Sequence, residues 1–164
     1  MADYIHVVHP FEPIFDCGSQ VLILGSFPSV QSRADRFYYG NSRNRFWKML
    51  AAVFDEPIPK SIEEKKALLK KRKLALYDAV LECDIKGSAD TSMRNVVPTD
   101  ISEIMKTGSV KKIITNGKTA ARWFFKFQRD EWLALAKCLP STSPANFTVN
   151  FETLVEIWKK ELLS

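Results

Sequence analysis

Residues Val21 to Leu50, VLILGSFPSVQSRADRFYYGNSRNRFWKML, constrain the fold of this 164-residue chain more than any other stretch. The run Val21-Leu22-Ile23-Leu24 is short, apolar and partly β-branched, and it stops abruptly at Gly25-Ser26-Phe27-Pro28-Ser29. That pattern predicts a buried strand running into a sharp loop. Tyr38-Tyr39-Gly40-Asn41-Ser42-Arg43-Asn44-Arg45-Phe46-Trp47 follows, rich in aromatics, amides and arginines. In open α/β sheets the carboxyl ends of the strands are where ligands bind. Aromatic faces stack on bases, amides read base edges and arginines meet phosphates. The segment has the chemistry of a nucleobase pocket.

The rest of the chain alternates the same two kinds of element. Further strands are expected over Leu74–Val80, Val110–Thr115 and Leu133–Leu139, with a short extended piece at Ile5–Val8 in an irregular arm. Helices are expected over Asn44–Phe54, Asp100–Thr107 with a stop near Gly108, Gly117–Phe127 and Phe151–Leu162. Ser61 with Glu64 forms a capping-box pattern that opens a lysine-rich helix to about Arg72. Residues 83–99, with Gly87 and Pro98, read as a long loop. Strand–helix alternation of this kind predicts an α/β fold, a three-layer α/β/α sandwich on a mostly parallel four-stranded central sheet. Right-handed crossovers then bring the carboxyl ends of all four strands to one edge. No repeat, linker or low-complexity tract divides residues 1–164, so a single domain is expected.

Charge and cysteine content narrow the function classes. A net charge of +5 fits a polyanionic partner, though it does not require one. Cys17, Cys83 and Cys138 are odd in number, widely spaced and without a CxxC pair. Neither a disulfide framework nor a metal or iron–sulfur site is expected from them, and no cofactor is called for. Met1-Ala2-Asp3-Tyr4 lacks the features of a leader, and no apolar run approaches a membrane span. The expectation is a monomeric, cytoplasmic protein. No GxGxxG, phosphate-binding P-loop or nucleophile elbow is present, which disfavours the common small-molecule α/β enzymes.

The string GSFPS followed by YYGNSRNRFW resembles the first active-site region of the uracil-DNA glycosylase superfamily. It is most similar to the branch acting on deoxyinosine (hypoxanthine) in DNA. Ile113-Ile114-Thr115-Asn116-Gly117 and Leu139-Pro140-Ser141-Thr142-Ser143-Pro144-Ala145-Asn146 resemble two further blocks, in the family order. Gly87 to Asn95 also resembles a segment of that branch. The resemblance implies a monofunctional glycosylase that removes a deaminated base from DNA and leaves an abasic site. Removal of uracil or thymine from mismatches is the runner-up. That branch carries a water-activating Asn inside its Gly-x-x-Pro loop, where this chain has Phe27. A non-catalytic nucleic-acid-binding domain on the same scaffold is the alternative outside the enzymes.

Several residues acquire candidate roles from the resemblance, each beside a plainer one. Asn41 is the candidate catalytic amide, aiming water at C1′, with Gly40 before it to turn the backbone. It equally suits a left-handed turn or a cap. Asn44 is better placed as the helix cap. Tyr39 is the candidate stacking wall for an extruded base, or else a core aromatic, and Ser26 and Phe27 border the same pocket. Asn116 is expected at the end of its strand. Its amide, one acceptor and two donors, matches the ring N–H and C6 carbonyl of hypoxanthine together. A cap on the following helix is the competing role. Ser141, Thr142, Ser143 and Pro144 suit a stiff loop that grips phosphate, with Arg43 and Arg94 as further DNA contacts. Leu139 stands where many superfamily members carry a His, which removes a protonated donor to the leaving base. The basic run from Lys65 to Lys73 reads as a solvated helix face, and nothing places His6 or His9 near chemistry.

Overall fold

The computed structural model describes residues 3–107 and 109–164; the start of the N-terminal arm and the helix stop expected near Gly108 lie outside the described residues. The four aliphatic runs form one sheet, β2 (Val21–Gly25), β3 (Leu74–Asp78), β6 (Lys112–Asn116) and β7 (Ala136–Leu139). Its order is β3-β2-β6-β7 and every pairing is parallel. Leu22, Ile23, Leu24, Ala75, Leu76, Ile113 and Ile114 are fully buried. Continuous aliphatic runs of this kind are what a parallel sheet covered on both faces requires.

Helices flank this sheet, as expected for the sandwich. α2 (Phe46–Phe54) packs on α7 (Phe151–Leu162), where the Phe46 and Trp158 rings meet edge to face. α3 (Ile62–Lys71) packs on β3, and α5 (Lys118–Phe127) on β6. The capping box forms: Ser61 Oγ accepts from the Glu64 N–H, and the Glu64 carboxylate accepts from the Ser61 hydroxyl and the Lys60 N–H. The basic run is a solvated face, with Lys71 and Arg72 paired to Glu56.

The largest departure from the sequence reading is a second, antiparallel sheet. β1 (Ile5–Val8), β4 (Val80–Ile85) and β5 (Arg94–Pro98) pair in the order β1-β4-β5. Residues 83–99 are therefore no simple loop; they hold the second half of β4, a 3₁₀ turn at Asp90–Ser92, and β5. The expected strand Leu74–Val80 ends early at Asp78, and the chain changes sheets at Ala79. Smaller differences follow the same logic of local signals outvoted by packing. A short helix, α1 (Val30–Asp35), fills the loop after β2. α4 spans only Ser102–Met105. The expected strand over Leu133–Leu139 splits into α6 (Asp130–Leu133) and β7.

Parallel register aligns the strand ends. Gly25 pairs with Asp78, Leu24 with Thr115, and Asn116 with Leu139. Gly25, Asp78, Asn116 and Leu139 thus form one row along the carboxyl edge.

Candidate active site

A cavity of about 570 Å³ opens beyond that row. The loop Gly25–Ser29, the segment Tyr38–Asn44, residues Ser88–Thr91 leading into the 3₁₀ turn, Asn116 and the loop Ser141–Ala145 all contribute to its wall. Three separated sequence blocks therefore converge, together with the 87–95 segment. Arg33 ties two of them together, donating to the carbonyls of Pro28 at 2.9 Å and Gly87 at 3.2 Å.

Gly25 is required by close approach. A Cβ there would lie 2.9 Å from the Tyr39 hydroxyl and would also collide with the Asp78 carboxylate. Tyr39 stacks on Phe46 with ring centroids 4.0 Å apart. Its hydroxyl accepts from Asn116 Nδ2 at 3.1 Å, so the ring is anchored on one face and at its tip. Burial, then the charge of Asp78, pushes its phenol pKa well above the ordinary value, so it stays protonated. Tyr38 is the core aromatic of the pair, with its hydroxyl donating to the Glu12 carbonyl at 2.8 Å.

The turn is built differently from the expectation. Tyr39, not Gly40 or Asn41, adopts the left-handed conformation, at φ 55°. Gly40 has no positive φ, and a Cβ there would collide only with the movable end of the exposed Asp35 side chain, at 2.7 Å, so the turn does not depend on glycine at this position. The Asn41 side chain lines the cavity while its Oδ1 accepts from the Arg43 N–H at 3.0 Å. Its Nδ2 makes no hydrogen bond among the described residues. Asn44 Oδ1 accepts from the Phe46 N–H at 2.9 Å, which serves the first turn of α2 although the helix starts later than expected.

Asn116 is not a helix cap; Gly117, at φ 96°, holds that position. Its amide is clamped by Thr142, whose N–H donates to Oδ1 at 3.0 Å and whose Oγ1 accepts from Nδ2 at 3.0 Å. The opposite amide orientation would face donor to donor and acceptor to acceptor. Both Nδ2 hydrogens are thus spent inside the protein, on Thr142 and Tyr39. A simultaneous read of two base atoms by this amide needs one of those bonds to yield.

Thr142 corrects another expectation. Its side chain is completely buried, and its hydroxyl donates to Asn44 Oδ1 at 2.8 Å. It cannot grip phosphate; it locks the first and third blocks to Asn116. Ser141, Ser143 and Pro144 remain half-exposed in the cavity wall, and exposed Arg43 lies there too. Arg94 does not line it. Arg94 sits on β5 with its guanidinium 3.5 Å from the Tyr4 ring centre. Phe27 is buried at the rim, edge-on to the His9 ring.

Four residues that build or line this region escaped the sequence reading. Arg45 donates to the carbonyls of Val149 at 2.7 Å and Asn146 at 2.8 Å, and holds the 141–149 loop against α2. Asp78 lines the cavity and is backed by buried His9, whose Nε2 donates to Asp78 Oδ2 at 2.7 Å. Asp90 lines it as well, and its Oδ2 accepts from the Ser26 hydroxyl at 2.8 Å. Burial, with Asp78 adding repulsion, lifts the Asp90 carboxyl to about 6, although the Ser26 bond opposes this. An acid at a strand end and a GSADTS string are locally unremarkable, so only the resemblance of the 87–95 segment pointed that way. Among the described residues no cluster of His, Cys, Asp or Glu is arranged to hold a metal. No helix among them is long and apolar enough to cross a membrane.

Residues 12–162 match the family model of the uracil DNA glycosylase superfamily. The chain belongs to that superfamily. A protein named hypoxanthine DNA glycosylase from Methanosarcina acetivorans is 30% identical over 147 residues, covering 87% of this chain and 92% of the relative. One of the same name from Methanosarcina barkeri is 27% identical over 115 residues, 69% of this chain and 73% of the relative. The solution structure of a Methanosarcina acetivorans protein described as a uracil DNA glycosylase superposes with a TM-score of 0.77 at 28% identity, covering 94% of this chain and 97% of its own. The superfamily fold accounts for the parallel sheet, and the cavity sits at the ligand-binding edge of such sheets.

Proposed function

We propose that this superfamily member is a monofunctional DNA glycosylase that hydrolyses the N-glycosidic bond of deoxyinosine, releasing hypoxanthine and leaving an abasic site. The observation that carries the reading is the convergence of three separate sequence blocks on one cavity, of a volume usual for small-ligand sites. The two relatives named for hypoxanthine support the choice of base.

In this reading the base leaves the duplex and enters the cavity against the Tyr39 ring, which Phe46 and Asn116 keep in place. Asn116 Oδ1 accepts the ring N–H of hypoxanthine with the lone pair that Thr142 leaves free. Asn41, held by its bond from the Arg43 N–H, orients water toward C1′ with its unpaired Nδ2 side of the amide. The Asp78 carboxylate, steadied by His9, favours the positive charge that develops on the sugar. Ser141, Ser143, Pro144 and Arg43 meet the backbone around the extruded nucleotide. Phe147, 86% exposed just beyond that loop, is the aromatic available to fill the space left in the stack.

No lysine lines the cavity among the described residues to offer an amine for a Schiff base, and the strand stays intact. Labelled duplexes bearing deoxyinosine, deoxyuridine, deoxyxanthosine or a thymine mismatch test the reading. Release of hypoxanthine, with strand cleavage only after alkali, is expected. Release confined to uracil or thymine would reassign the base, and cleavage without alkali would overturn the monofunctional mechanism.

A further inference from the structure

Asp90 is a cavity acid that neither holds the base nor positions the water. It stands on the 3₁₀ turn between β4 and β5 and lines the cavity wall. Ser26 donates its hydroxyl hydrogen to Oδ2, while Oδ1 has no hydrogen-bond partner among the described residues. A neutral carboxyl in this setting keeps Oδ2 as the acceptor, so its proton sits on Oδ1, the oxygen left to a ligand.

The surroundings suit a proton donor. Asp78, bonded to His9, adds negative charge nearby, and the Tyr39 and Cys83 groups both stay protonated, the thiol pushed up to about 11 chiefly by burial. Arg33 spends its guanidinium on the Pro28 and Gly87 carbonyls, and neither Arg33 nor cavity-lining Arg43 pairs with Asp90 among the described residues. A base entering the cavity displaces water, which favours the neutral carboxyl further. Leu139, at the end of β7, is apolar and almost wholly buried, so it supplies no proton.

We propose that Asp90 is the general acid for the departing purine, passing its Oδ1 proton to a ring nitrogen, N7 or N3, as the C1′–N9 bond breaks. The bonding pair leaves with the purine, which departs neutral because it gains that proton. Water oxygen forms the new bond to C1′, and the proton that water loses restores the Asp90 carboxyl. One water is consumed and the acid is regenerated. Uracil has no N7 or N3 lone pair of this kind, so the device selects for purines. The inference rests on the deoxyinosine reading.

Single-turnover release from deoxyinosine duplexes between pH 5 and 9 tests it, with circular dichroism and duplex binding as controls for folding and affinity. The wild-type rate is expected to fall roughly tenfold per pH unit on the alkaline side, the limb of an essential acid. Asp90→Asn should remove that limb and lower the acidic plateau by about 10²–10⁴-fold, the usual worth of general acid catalysis. Of the 7-deaza and 3-deaza substrates, the one lacking the receiving nitrogen should react slowly and lose nothing more with Asp90→Asn. A folded Asp90→Asn that keeps the alkaline fall overturns the proposal. So does an equal cost of the substitution on deoxyinosine and both deaza substrates. A wild-type chain that releases only uracil or thymine, or no base at all, overturns the reading beneath it.

Discussion

Thr142→Val removes the hydroxyl that joins Asn44 to Asn116 and changes almost nothing else. Valine has the shape of threonine, so no cavity forms at this fully buried position. Asn116 Nδ2 and Asn44 Oδ1 each lose one partner, at 3.0 and 2.8 Å, and each keeps another, the Tyr39 hydroxyl and the Phe46 N–H. A buried group left without a partner costs about 1–3 kcal/mol, and partial compensation puts the pair near the low end, about 2 kcal/mol in total. For a domain of this size that corresponds to a melting temperature lower by roughly 4–8 °C. Thr142→Ser keeps both bonds and loses one methyl, about 1 kcal/mol, so the difference between the two variants isolates the hydroxyl. With its clamp loosened Asn116 misplaces the base, and single-turnover release should drop about tenfold, equivalent to some 1.4 kcal/mol. Duplex affinity should hold, because phosphate contacts dominate it. A double-mutant cycle with Asn116→Ala should show coupling above about 0.5 kcal/mol. Wild-type melting and turnover in Thr142→Val, or strict additivity in the cycle, would refute the clamp.

The remaining predictions use other parts of the same geometry. Asn41→Ala should abolish most release while duplex binding survives, and Asn44→Ala should instead cost about 1 kcal/mol of stability as a lost first-turn partner, read by thermal melts beside single-turnover rates. Arg45→Met removes two short charged bonds to loop carbonyls; hydrogen exchange should quicken across residues 141–149, with a loss of about 2–3 kcal/mol if the loop stays ordered only through them. Asp90 binds its proton more tightly folded than unfolded, so its contribution is favourable in acid and drains away as pH rises from the ordinary carboxylate range to about 6. Asp90→Asn should therefore leave stability unchanged near pH 3 and raise it at pH 8 by on the order of 1–2 kcal/mol, measured by urea titration at both values.

The parallel sheet could be read from the sequence because its signal is local. Leu22–Leu24, Leu74–Leu76 and Ile113–Ile114 are buried on both faces, and a strand in that position must be continuously aliphatic whatever lies beside it. The positions of Tyr39, Asn41, Asn116 and the Ser141–Pro144 loop around one edge follow from those strand ends and from parallel crossovers. The second sheet was hidden because its strands alternate weakly, carry Asp84, Arg94 and Pro98, pair with each other in a shifted register, and gain a third strand only from β1, about eighty residues away along the chain. Long-range pairing leaves little local trace.

The same reason explains what was missed in the site. Asp78, Asp90 and His9 look like ordinary surface residues one by one; their meaning arises when the sheet change at Ala79 and the 3₁₀ turn bring them to the cavity. Thr142 looks like a solvent-facing hydroxyl in a Ser/Pro loop, yet Arg45 draws that loop inward until the hydroxyl has only protein partners. Sequence by itself determined which strands are buried and which polar residues follow them, because hydrophobic period and turn chemistry act over a few residues. Which acids face the base, and which hydroxyl is a clamp and not a contact, the tertiary structure alone decided, because burial and hydrogen-bond partners depend on chain segments far apart in sequence.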